Sequence, residues 1–143
     1  MYRRLIREAG APPRVCLEPM GIMDGVVSTG VIGKLVKEHA LVLNVEGRGL
    51  VVLTGCSHPG LLKILNRARE ATGIEKIHGV MGGFHIMGLQ KGIEIGEKLK
   101  ELGVDFVSPC HCTALDAKMG IGIGMGKKGL IGNGAGRVIM VQA

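Results

Sequence analysis

Residues 51–60 read VVLTGCSHPG. An apolar, strand-forming run stops at a turn that Pro59 and Gly60 make sharp, and the turn carries Cys56 and His58. The arrangement recurs downstream. KIHGVM (76–81) runs into Gly82-Gly83-Phe84-His85, and VDFVS (104–108) runs into Pro109-Cys110-His111-Cys112. Each is read as a strand, a tight turn and a histidine, with a helix to follow. In a sheet with helices packed on it, such turns gather where the carboxyl ends of the strands meet, which is where open α/β folds bind ligands.

The surrounding pattern supports that placement. VVSTGVI (26–32), ALVLNV (40–45) and LVVLTG (50–55) are extended candidates, the last two joined as an antiparallel hairpin through Glu46-Gly47-Arg48-Gly49. From residue 61 the period changes. Leu61, Leu65 and Ala68 recur at i, i+4 and i+7, which predicts an amphipathic helix ended by Gly73. A second helix is expected over about 89–102, with Ile95, Leu99 and Leu102 on one side, and a short one over about 113–119. Residues 2–9 read as a short helix, and 10–24, rich in Pro and Gly, as irregular. The tail is expected to be a mobile glycine-dense stretch (120–136) and a last strand, RVIMV (137–141). Strands followed by strand–helix alternation make the fold class α/β, a mixed sheet with helices packed on it.

Composition sets the bounds. A chain of 143 residues with 46% hydrophobic content suits one folded domain with a substantial core. No apolar run approaches the roughly 20 residues of a membrane-spanning helix. MYRRLIREAG lacks the apolar block of a signal peptide, so a cytoplasmic location and no membrane partner are expected. The net charge of +6 draws partly on Arg3, Arg4, Arg7 and Lys127–Lys128. A solvated basic surface explains it most simply, and attraction for an anionic small molecule is the functional alternative. Aromatic residues make up only 2% of the chain, which disfavours stacking on nucleic acid.

Neutral imidazole is the commonest metal ligand, and a catalytic zinc takes three protein ligands and keeps one position open. His58, His85 and His111 are therefore candidate ligands, although a single histidine at a strand end more often caps or hydrogen-bonds. Gly83, with Gly82, would let the backbone turn tightly beneath an ion. His78, inside a strand, is read as structural, and His39, beside Glu38, as packing or exposed. Cys56, Cys110 and Cys112 admit two arrangements: with His58 they could close a Cys₃His zinc site, or they line the site as small thiols. The single residue between Cys110 and Cys112 favours the second. Gly124-Met-Gly126-Lys-Lys-Gly129 matches G-x-G-x-x-G, but a chain with 25 glycines yields such a string by chance.

GLVVLTGCSHPGL, VMGGFH and KELGVDFVSPCHCTALDA, in that order, resemble the C-terminal half of a branch of metallo-β-lactamase-fold, metal-dependent hydrolases, over roughly residues 26–143. Some archaeal members of that branch are assigned to pterin-precursor synthesis. The resemblance implies half of an αββα sandwich, preceded here by an N-terminal helix and irregular segment over 1–25. It implies that His58 and His111 are metal ligands and that His85 stands where the superfamily commonly has a bridging aspartate. A divalent ion follows, zinc first, with iron or manganese as alternatives. Residues 34–39, leading into the hairpin, carry no chemistry on this reading. The family's H-x-H-x-D-H motif has no counterpart here, and Ala114 stands where the family usually has glycine. The resemblance thus implies a site completed by a complementary N-terminal half chain, or a homodimeric or degenerate half-domain with a structural or metal-binding role.

Overall fold

The computed structural model describes residues 2–126 and 129–142. One six-stranded sheet runs in chain order: β1 (Met20–Met23), β2 (Val26–Ser28), β3 (Leu41–Val45), β4 (Gly49–Thr54), β5 (Ile77–Gly82) and β6 (Phe106–Pro109). Strands β1 to β4 form an antiparallel meander, with Leu41 opposite Leu53 and Val45 opposite Gly49 across the expected hairpin. The β4–β5 and β5–β6 pairs are parallel. Parallel neighbours need crossovers, and α2 (Leu61–Thr72) and α3 (Leu89–Glu101) supply them.

The core follows the periodicities. Leu61, Ile64, Leu65 and Ala68 of α2 and Leu99 of α3 pack with Val42, Leu50, Val52, Ile77, Val80 and Val107 from the strands. Gly73 ends α2 in the left-handed conformation, its N–H donating to the Arg69 carbonyl. The turns that leave β4, β5 and β6, and the histidines on them, therefore lie along the shared carboxyl edge of these three parallel strands.

Four expectations change. Met20–Met23, within the stretch read as irregular, is strand β1 and pairs with β2. The segment 26–32 is strand only to Ser28; Ile32 instead makes an isolated bridge to Glu38. The short helix near 113–119 is α4, Leu115–Met125, and absorbs the start of the glycine-dense stretch. Its glycines let it approach α3 closely: a Cβ on Gly120 would sit 2.8 Å from Ile93 N, and one on Gly96 would sit 2.5 Å from Ile121 O. Packing between backbones thus overrides glycine's weak helix propensity. Residues 137–141 form no strand, and Val138 and Met140 are largely exposed. The G-x-G-x-x-G string lies at the end of α4, not at the start of a helix, and Lys127 and Lys128 fall outside the described residues. Also among the described residues, α1 (Tyr2–Glu8) forms as expected, and no helix is long and apolar enough to cross a membrane.

Candidate metal centre

Three hydrogen bonds donated by backbone N–H groups tie the strand ends together. Gly83 N–H donates to the Gly55 carbonyl at 2.8 Å, Cys110 N–H to the Gly82 carbonyl at 2.8 Å, and Phe84 N–H to Thr113 Oγ1 at 3.0 Å. Ser57 is the buried pin of this edge. Its hydroxyl donates to the Gly83 carbonyl at 2.7 Å; with that proton committed, it accepts from Thr54 Oγ1 at 2.9 Å. Ser57 and His85 both adopt positive φ, 64° and 49°, although neither is glycine. Such backbone costs about 1–3 kcal/mol per residue and persists where the surroundings over-determine it. Here it turns His58 and His85 out of their strands.

The three histidines divide into two groups. The His58 and His85 rings lie side by side, with centroids 4.4 Å apart. They share a cavity of about 260 Å³ with Phe84, Ile86, Lys91 and Ile95. His111 stands among the thiols: its Nε2 is 3.2 Å from Cys56 Sγ and its Nδ1 3.1 Å from Cys110 Sγ. Cys112 Sγ faces the Cys56 carbonyl at 3.6 Å. The donor atoms of Cys56, His111 and Cys112 all lie within 4.8 Å of one another, as do those of Glu38, Cys56 and His58. Cys56 belongs to both sets.

Gly83 makes the thiol group possible. A Cβ there would fall 2.6 Å from Gly55 O and 2.7 Å from His111 Cε1, and would also strike Cys112 Sγ. No larger residue fits in that cradle.

Glu38 is the site residue that sequence reasoning missed. Its Oε2 accepts from Ser57 N–H at 2.8 Å and its Oε1 from His58 N–H at 3.4 Å, and the same Oε1 accepts from His58 Nδ1. Desolvation alone would raise the Glu38 pKa, but the His58 ring bond, the two backbone N–H groups and the His58 charge outweigh it and lower it from 4.5. The carboxylate therefore stays ionised and fixes the His58 tautomer, leaving Nε2 to face outward. The Ile32–Glu38 bridge that carries it had only one sequence signal, an acid beside His39 at the entry to a strand. Desolvation, with Cys112 next, pushes the Cys56 thiol up from its ordinary value.

His39 and His78 stand apart from this chemistry. His39 Nδ1 is 3.0 Å from Ser28 Oγ. His78 pairs through Nδ1 with Asp105 at 2.7 Å and packs edge-on against Phe106.

The donor set fits a divalent metal. It offers imidazole nitrogens, thiols and a carboxylate at one sheet edge, with Glu38 and Cys110 on the Nδ1 atoms of His58 and His111. No family model matches the chain. Over 76 residues the chain is 34% identical to a 7,8-dihydropterin-6-methyl-4-(beta-D-ribofuranosyl)-aminobenzene-5'-phosphate synthase of Methanocaldococcus jannaschii, covering 52% of this chain and 26% of that protein. It is 33% identical over 70 residues to an uncharacterized protein of the same organism, covering 47% and 25%. The chain thus spans about a quarter of the length of these relatives. A crystal structure of a metal-dependent hydrolase of the beta-lactamase superfamily superposes with a TM-score of 0.73 at 26% identity, covering 92% of this chain and 59% of that one. The six-stranded mixed sheet with its crossover helices is thus the fold of a metal-dependent hydrolase of the beta-lactamase superfamily.

Proposed function

We propose that this chain supplies part of the metal site of a hydrolase, and that a complementary polypeptide bearing the H-x-H-x-D-H ligands supplies the rest. The observation that carries the reading is the convergence of His58, His85 and His111, from three strand ends, on one edge of a superfamily fold. His58 and His85 would hold an ion on the cavity side, and His111 would hold one on the thiol side. The ion is divalent, with zinc favoured by the imidazole–thiol donors and iron or manganese as alternatives. When bound, such an ion makes hydroxide available near neutral pH and polarises the scissile bond.

The chain's own residues prepare that chemistry. Glu38 orients His58, Ser57 holds the turn, and Phe84, Ile86 and Ile95 give the cavity its apolar lining. His58, His85 and Lys91 give the cavity a basic lining, which supports a small anionic substrate bearing phosphate or carboxylate. The sheet face away from the helices leaves Leu41, Leu43, Val45, Leu53 and Met81 only half-buried. An apolar surface of that kind suits a complementary half or a second copy of the chain.

Native mass spectrometry of the untagged chain with zinc, iron(II) or manganese(II) tests the reading. Metal content should fall in His58→Ala, His85→Ala and His111→Ala, and turnover of a chromogenic phosphate ester should appear only with an added polypeptide bearing H-x-H-x-D-H. Unchanged metal content in all three variants would end it.

A further inference from the structure

We propose that Cys56, His111 and Cys112 form a thiolate-rich metal site complete within this chain, which takes a thiophilic divalent ion such as zinc. The inference deepens the hydrolase reading at one of its three histidines; it requires neither hydrolysis nor a partner.

Geometry carries it. Metal–ligand lengths of about 2.3 Å to sulfur and 2.0 Å to imidazole place donors on one tetrahedral ion roughly 3.5 Å apart. Cys56 Sγ and His111 Nε2 are already 3.2 Å apart, and Cys112 Sγ completes a set within 4.8 Å. Small rotations of three short side chains close it.

The surroundings are built for the same end. Cys110 Sγ lies on His111 Nδ1, so the ring can keep its proton there and turn the Nε2 lone pair toward Cys56 and Cys112. Gly83 provides the space in which His111 and Cys112 meet. The bonds from Gly83 to Gly55 and from Cys110 to Gly82 fix the distance between the Cys56 turn and the Cys112 turn. Cys56, Cys110 and Cys112 are only partly exposed, and none is in a disulfide. Two thiolates and one imidazole leave one coordination position for water or another ligand. That set is soft and discriminates against magnesium and calcium. Cys56 also stands within 4.8 Å of the His58 group, so its sulfur lies where it can contact a second ion on the cavity side.

Cobalt(II), added to the reduced chain alone under anaerobic conditions, is the probe. Binding should give the near-ultraviolet charge-transfer band of cobalt–thiolate bonds and release protons, and zinc should abolish the band. Loss of even an outer partner of a metal ligand costs about 10–100-fold in affinity, so Cys56→Ser and Cys112→Ser should each weaken binding by at least about 100-fold. Cys16→Ser should leave the band intact, and so should His58→Ala, which separates this site from the hydrolase reading. Retention of the band in both Cys56→Ser and Cys112→Ser, or its absence from the unaltered chain, would overturn the proposal. The unaltered chain gives a second readout that does not depend on any variant's folding. Zinc should shield Cys56 and Cys112 from iodoacetamide while Cys16 still reacts, and equal reactivity with and without zinc would also overturn it.

Discussion

Glu38 grips His58 from 20 positions upstream, its carboxylate accepting from both the ring Nδ1 and the backbone N–H. The same carboxylate holds Ser57 N–H at 2.8 Å, so one side chain sets the shape of the Cys56–His58 turn and the tautomer of its histidine. Glu38→Gln keeps the size and one acceptor but removes the charge. Metal affinity should drop by about 10–100-fold with little change in fold, measured by calorimetric titration of zinc. Unchanged affinity would show that His58 needs no orienting partner.

Glu38→Ala goes further, because it leaves the buried edge of the turn with an unmet donor. A cost of about 1–3 kcal/mol is expected, read from urea denaturation. The sign with pH follows from the lowered folded-state pKa. The carboxylate's contribution is complete above its ordinary value of 4.5 and is lost as pH falls through the lower folded value. The stability gap between the unaltered chain and Glu38→Ala should therefore narrow below about pH 4.5.

The elements legible in the sequence were those whose period matched their packing. The apolar, strand-forming runs ALVLNV and LVVLTG and the Glu46–Gly49 turn define the hairpin, and the recurrence of Leu61, Leu65 and Ala68 defines α2. The second half of α4 was hidden because Gly120, Gly122 and Gly124 argue locally against a helix, and only the proximity of α3 reverses that preference. The three strand-end histidines were visible as a set. Their division into a His58–His85 pair and a His111–thiol group depends on the backbone angles of Ser57 and His85 and on Glu38, which spacing does not encode.

The α3–α4 contact yields a stability prediction of its own. Gly120→Ala and Gly96→Ala each place a methyl group against partner backbone that side-chain rotation does not move. Each should cost about 1–3 kcal/mol, lowering the thermal midpoint by about 3 °C for each kcal/mol. Gly132→Ala is the control, since nothing lies within 4 Å of its added methyl. Equal midpoints for all three variants would mean that α4 does not pack against α3 as described.

His78 separates a structural histidine from the candidate ligands, and Asp105 is the group through which it acts. Desolvation raises the Asp105 pKa, but the bonds and charges of His78 and Lys76 more than offset it and lower the pKa from 3.8. His78 Nδ1 lies 2.7 Å and Lys76 Nζ 2.9 Å from its two oxygens. A carboxylate with a depressed folded-state pKa adds stability that is fully present above the unfolded value and disappears as pH falls through the folded one. Asp105→Asn should thus be less stable than the unaltered chain at neutral pH, and the two should converge below about pH 3.8. Asp105 is about half exposed, so the effect should be modest and weaker in high salt. His78→Ala should show the same loss of acid sensitivity with no loss of bound metal, measured by thermal melts from pH 3 to 7 beside elemental analysis at pH 7. Metal loss in His78→Ala, with metal retained in His58→Ala and His111→Ala, would move the metal centre to the opposite end of β5.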